Sequence, residues 1–265
     1  MHFSSTYTVG FAAAVCVVCS VFVAGSAVAL KERQELNALV DRQTQVLDVA
    51  GLRAAGEQLS AEEVRQRFRE NLVARVIDLE SGEYLPDVDP ESVDMDAAMK
   101  DPELSTEAPD NPAKVLRVPK RGLVYELRGE GDQLEALILP VQGKGLWSTL
   151  KGFIALKPDT TTVAGLTFYS HAETPGLGGE VDNPKWKAEW PGREVFDEQW
   201  NPEIEVIKGQ AGPPAEDPHR VDGLSGATIT SRGVTHLIRF WVGEAGFGPY
   251  LAKVRAGAPS APAGN

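Results

Sequence analysis

The sequence predicts an α+β protein: one membrane-spanning helix leading into a soluble domain with a mainly antiparallel sheet and packed helices. Three observations carry this. Residues 9–30 hold no charged side chain, and a spanning helix needs roughly 20 such apolar residues. Residues 123–128 and 134–141 read as two strands around the turn Gly129-Glu130-Gly131-Asp132, the pattern of an antiparallel hairpin. Near the C-terminus, Val234, Leu237, Ile238, Trp241 and Val242 fall at i, i+3, i+4, i+7 and i+8, which marks one buried helix face.

The chain has 265 residues, room for one large domain or two small ones. Its net charge is −12, its sequence pI about 4.9 and its mean hydropathy −0.20. With no basic patch against that background, nucleic acid is excluded as a partner. Both cysteines, Cys16 and Cys19, lie in the apolar N-terminal run. The soluble body therefore has neither a disulfide nor a cysteine metal site.

Two readings compete for that run. Ala27-Val28-Ala29 is a small-x-small site placed where a signal peptide would be cleaved. The run is longer than a signal core, however, and Leu36, Leu39, Val40 and Leu47 continue a helical spacing out of it. A retained anchor over residues 1–30 is the favoured reading. Lys31 and Arg33 follow the span and only His2 precedes it, which by charge alone weakly places the body in the cytoplasm.

Residues 31–115 read as a helical connector followed by an acidic, Pro-rich region. Ser60-Ala61-Glu62-Glu63 is a capping box that opens a short helix with Val64, Phe68 and Leu72 on one side. Residues 72–79 read as a strand ending at the turn Ser81-Gly82. From 78 to 110 Lys100 is the only basic residue, and Pro86, Pro90, Pro102 and Pro109 punctuate the stretch, as in a solvated, loop-rich segment. Its acids match no Ca²⁺-binding loop spacing.

After the hairpin comes Gly143-Lys144-Gly145-Leu146-Trp147-Ser148, which fits no phosphate-binding P-loop frame. Residues 162–169 form a further strand that runs into His171-Ala172-Glu173-Thr174-Pro175-Gly176-Leu177-Gly178-Gly179. His171 and Glu173 lack neighbouring ligands for a metal. The proline and glycines let backbone N–H groups approach a planar ring. Trp186, Trp190 and Trp200 follow in a polar segment that ends in a strand at 204–207, with Lys208 at the strand's end. Residues 256–265, rich in Ala, Pro, Gly and Ser, read as a disordered tail.

The organising stretch is Val221-Asp222-Gly223-Leu224-Ser225-Gly226-Ala227-Thr228-Ile229-Thr230-Ser231. Thr230 or Ser231 is expected to cap the helix that follows. That sets Thr228 on a tight turn at the helix mouth, where free N–H groups and the positive dipole end favour a phosphate. The alternative is a plain turn with a helix cap.

DGLSGATITS resembles the acceptor site of a flavin transferase, which joins the phosphate of FMN to the threonine of GAT. Together with HxETPGLG and GKGLWS it resembles the C subunit of the Na⁺-translocating NADH:quinone reductase, more than the related G subunit of the Rnf complex. The resemblance implies an FMN-binding domain over residues 116–255 with covalent FMN on Thr228. Around the flavin it places Ser225, Gly226, Ala227, Ile229, Thr230, His171, Glu173, Thr174, Leu177, Gly178, Lys208 and Trp147. Asp222, Ser225, Gly226, Ala227 and Thr228 are implied as the residues that the transferase reads.

The same resemblance implies an electron-transfer subunit, not catalytic alone, in a six-subunit complex that couples NADH oxidation by quinone to Na⁺ export. It implies a bacterial inner membrane and a periplasmic soluble domain, although the lysines that usually precede the span in this family are missing here. The chain has no NADH-binding glycine fingerprint between a strand and a helix. Two other classes remain in view. One is a hydrolase with Ser225 as nucleophile, for which GLSGA matches only half of G-x-S-x-G. The other is a membrane-anchored, non-catalytic binding domain that shares only the turn.

Overall fold

The computed structural model describes residues 4–54 and 56–257. The chain divides into two units, residues 1–42 and 43–265. In the first unit runs helix α1 (Ser5–Val49), whose side chains are exposed from Ser5 to Leu39. Among the described residues it is the one helix long and apolar enough to cross a membrane, and it passes residue 30 without a break. The only basic candidate before the span, His2, lies outside the described residues, as does the expected tail from residue 258 on.

The second unit begins with the last turns of α1, where Val46, Leu47 and Val49 are buried. Helix α2 (Ala61–Asn71) starts at the expected capping box: Glu63 N–H donates to Ser60 Oγ and Ser60 N–H to the Glu63 carboxylate. Such reciprocal caps satisfy N–H groups that the helix itself cannot. The chain then enters β1 (Leu72–Asp78).

The acidic stretch holds more structure than a bare loop. It contains α3 (Met95–Ala98), tied to the sheet by an ion pair of 2.8 Å between Asp96 and Lys151. It also contains β2 (Ser105–Glu107), which pairs with β3 (Arg117–Pro119) in a separate antiparallel ribbon.

The remaining strands of the main sheet are β4 (Arg121–Arg128), β5 (Leu134–Lys144), β6 (Thr149–Leu156) and β7 (Val163–Ser170). The spatial order is β1-β4-β5-β6-β7 and every pairing is antiparallel. The hairpin expected at 123–141 is β4–β5. Strands β4 to β7 are successive neighbours, while β1 reaches its edge place from more than 40 residues upstream.

Two covers close the sheet. On one face Tyr125, Ile138 and Phe153 are buried, with the Phe68 ring of α2 edge-on to Tyr125 at 5.4 Å. Gln45 of α1 accepts a hydrogen bond there from Thr167 Oγ1. On the other face lies the main apolar core. Short helix α4 (Pro184–Lys187) carries Trp186 into it, and β8 (Glu205–Val206) pairs in parallel with β9 (Arg220–Val221) at its margin.

Helix α5 (Thr228–Val242) is the centre of that core. Val234, Leu237, Ile238, Trp241 and Val242 are all fully buried, as the helical spacing requires. Each contributes on the order of 1.5–3 kcal/mol by leaving water. The helix lies close on β5 because two glycines make room. A Cβ on Gly143 would sit 2.5 Å from Leu237 Cβ, and one on Gly233 2.5 Å from the Lys144 carbonyl. Trp241 Nε1 donates to the Gln142 carbonyl at 2.6 Å. The close approach at Gly233 sets the first turns of α5 against the end of the β5–β6 hairpin. Helix α6 (Gly248–Arg255) is the last element of the described chain and buries Tyr250 and Leu251.

The helix start differs from the expectation that Thr230 or Ser231 would cap it. Helix α5 begins at Thr228, with Ala227 before it providing no side-chain cap. Thr230 and Ser231 lie inside the first turn and are buried. Their hydroxyls have tertiary partners: Thr230 donates to Glu173, and Ser231 Oγ accepts from the Leu224 N–H.

Candidate functional site

The approach to Thr228 is a backbone built on glycine. After β9, Gly223 passes so near β8 that a Cβ would be 2.1 Å from the Ile207 carbonyl. Its N–H donates to the Gly209 carbonyl at 2.8 Å. Asp222 ties this crossing to its surroundings. Its Oδ1 accepts from Ala211 N–H at 2.7 Å, and its carbonyl accepts from Trp186 Nε1 at 2.8 Å. Gly226 then turns the chain at φ +70°, a conformation open to glycine, and Ala227 N–H closes onto the Leu224 carbonyl. Asp222 and Gly226 thus shape the turn.

Thr228 is the first residue of α5, and Ser225, Gly226, Thr228 and Ile229 are exposed while Ala227 is buried. The positive end of the helix dipole lies here, with no side-chain cap from Ala227. Thr228 borders a cleft of about 600 Å³ together with Lys208, Ser225 and Arg232. Among the described residues neither Lys208 nor Arg232 makes an ion pair. Arg232 escaped the sequence reading. Its signal was the i, i+4 offset from Thr228, which sets both residues on one helix face.

The other two glycine motifs meet α5 through one carboxylate. Glu173 is 5% exposed. Its Oε1 accepts from the N–H groups of Trp147 at 3.0 Å and Ser148 at 3.2 Å. Its Oε2 accepts from Leu146 N–H at 3.3 Å and Thr230 Oγ1 at 2.7 Å. Burial acts to raise the carboxyl's pKa, but the Thr230 hydroxyl and the three N–H donors outweigh it and hold the group below its ordinary value. Glycines wall the carboxylate: a Cβ on Gly145 would lie 2.6 Å from Oε1 and one on Gly178 2.8 Å from Oε2.

His171 supports this loop from behind. Its Nδ1 accepts from Glu173 N–H at 3.2 Å, so Nε2 carries the proton toward Asp182 at 2.7 Å. Thr174 is exposed and its carbonyl accepts from the N–H groups of Leu177 and Gly179. Leu177 stays 43% exposed, yet a Cβ on Gly226 would be 2.9 Å from its Cδ2. The HxETPGLG loop and the GAT turn are therefore in direct contact. Trp147, at 66% exposed, and Ile229, at 56%, leave flat apolar surface on the neighbouring segments.

The fold thus joins the three sequence motifs at one place. His171, Glu173 and Gly178 face inward, whereas Trp147, Leu177, Ser225, Thr228, Ile229 and Lys208 face solvent. The geometry offers an exposed hydroxyl at a helix N-terminus, with Lys208 and Arg232 in the same cleft and the exposed Leu177 against the turn that precedes it.

Residues 145–243 match the family described as FMN-binding domain. The C subunit of the Na⁺-translocating NADH-quinone reductase from Pseudomonas aeruginosa is 49% identical over 257 residues, covering 96% of this chain and 97% of that protein. The same subunit from Yersinia pestis is 48% identical over 246 residues, covering 92% and 90%. The crystal structure of Shewanella oneidensis NqrC superposes with a TM-score of 0.74 at 32% identity, covering 85% of this chain and 99% of that one. With its antiparallel sheet, its apolar N-terminal helix and this degree of identity, the chain belongs to the NqrC family, the C subunits of Na⁺-translocating NADH-quinone reductases.

Proposed function

We propose that this chain carries FMN as a phosphoester on Thr228 and relays electrons between other redox centres of a six-subunit membrane complex, from NADH towards quinone with Na⁺ export. The observation that carries this reading is the exposed Thr228 hydroxyl at the start of α5, which has no side-chain cap, in the same cleft as two cations that make no ion pair among the described residues. A phosphodiester there would bear one negative charge. Lys208 and Arg232 answer it with cations and the first turn of α5 with N–H groups and the positive dipole end.

Bound FMN supplies the redox chemistry. The protein's part is to hold it: Trp147, Leu177 and Ile229 offer apolar surface for a planar ring beside Thr228. Attachment requires a flavin transferase and an activated donor such as FAD. The Thr228 oxygen forms a new P–O bond, the nucleotide leaves with the electrons of the broken one, and the hydroxyl proton is released. In this reading α1 anchors the chain in the inner membrane with the body in the periplasm.

The test is intact mass of the full chain, coexpressed with a flavin transferase, beside Thr228→Ala. The expected result is a gain of FMN minus water, with yellow colour surviving denaturation and both lost in the variant. An unmodified mass with an active transferase control would leave Asp222 to Thr228 as a helix-opening turn, and the binding-domain reading would take over. Protease protection of the soluble body in intact spheroplasts would refute the periplasmic placement.

A further inference from the structure

We propose that Glu173 sets the reduction potential of the flavin through a buried negative charge, acting by way of Thr230 and the 146–148 backbone and not by contact. This rests on the reading that Thr228 carries the flavin. The carboxylate is 5% exposed, and among the described residues it makes no ion pair. Both oxygens are taken up by four protein donors, which stabilise the ionised form. Glycines at 145 and 178 press backbone against it on two sides and keep water away. It is a fixed anion.

Its place makes that charge felt at the flavin. Thr230 stands two residues after Thr228 in the first turn of α5, roughly 3 Å farther along the axis and roughly 200° around it, so the carboxylate lies against the buried side of the turn whose exposed side carries Thr228. The positive end of α5, Lys208 and Arg232 all favour adding electrons to a nearby group. Glu173 opposes them, and in a site of low dielectric a buried charge is poorly screened. A negative charge next to a group being reduced makes reduction harder, so Glu173 lowers the potential. It also locks Leu146, Trp147 and Ser148 to α5, so the same group positions the Trp147 surface.

Glu173→Gln separates charge from shape. The amide oxygen keeps the Trp147 and Ser148 N–H groups, the Thr230 hydroxyl can turn to accept from the amide nitrogen, and only the Leu146 N–H, the longest of the four bonds at 3.3 Å, loses its acceptor. Thr230→Val does the reverse, leaving the charge and removing one donor that neutralises it. The experiment is redox titration of visible flavin absorbance in the full chain after coexpression with the transferase, with intact mass reporting attachment. Glu198→Gln, an exposed carboxylate change, is the control.

The expected result is a midpoint shifted positive in Glu173→Gln, shifted negative in Thr230→Val and unmoved in the control. Attached flavin with the wild-type midpoint in both variants, or shifts of the same sign, overturns the proposal. If Glu173→Gln does not fold, the sign of the Thr230→Val shift decides alone. Failure of the wild-type chain to gain FMN mass would instead count against Thr228 attachment, so the two readings fail by different signals.

Discussion

Replacing Gly178 by alanine tests whether the junction of the three motifs depends on close approach at the Glu173 carboxylate. The added Cβ would fall 2.6 Å from Thr230 Oγ1, 2.8 Å from Glu173 Oε2 and 3.1 Å from Glu173 Cβ. The first two atoms are bonded to each other at 2.7 Å, so they cannot both retreat without parting. Overpacking of this kind costs roughly 1–3 kcal/mol. Loss of a buried hydrogen bond to a charged group adds about 1.5–3 kcal/mol. Taking about 3 kcal/mol for the sum, and about 2–4 °C per kcal/mol for a domain of this size, Tm should fall by roughly 6–12 °C.

Gly176→Ala is the matched comparison. It sits at φ +75° with nothing within 4 Å of a new Cβ, so it meets backbone strain without crowding, about 1 kcal/mol or somewhat more. Thermal unfolding of the detergent-solubilised full chain by near-ultraviolet circular dichroism reads both. A Gly178→Ala protein that melts no lower than Gly176→Ala would refute the reasoning.

Two further outcomes follow from the same geometry. Replacing Lys208 and Arg232 together by alanine should slow FMN incorporation by up to roughly thirtyfold, since two exposed cations at no more than about 1 kcal/mol each contribute at most about 2 kcal/mol. High salt should reduce the wild type toward the variant's rate, as followed by intact mass against time. Glu173 also makes stability depend on pH. Its folded pKa lies below the ordinary value of 4.5, so its contribution is fully present above about pH 4.5 and is lost as pH falls through the folded value. The stability gap between wild type and Glu173→Gln should be constant near neutrality and shrink in acid, as denaturant titrations at several pH values would show.

Much of the fold was legible because its signals are local. The reciprocal Ser60–Glu63 cap, the β4–β5 hairpin and the buried face of α5 each follow from residues a few places apart. The pairing of β1 with β4 across the acidic stretch was not. No local pattern encodes a partner that far along the chain. The same limit explains the misplaced helix start. Thr230 and Ser231 are good capping residues by type, but their hydroxyls are claimed by Glu173 and the Leu224 N–H, partners supplied by the fold.

The sequence by itself determined the composition of the site: an apolar leading helix, two glycine-rich loops, and a GAT turn ahead of an amphipathic helix. Backbone freedom and helix periodicity belong to short stretches, and short stretches can be read. Only the tertiary structure decided that these loops meet, that Glu173 is the carboxylate joining them, and that Arg232 shares a cleft with Thr228 and Lys208. Those facts depend on which faces the sheet and α5 bury against each other. Glycines at 143 and 233 allow that approach, and it exists only once the core has packed.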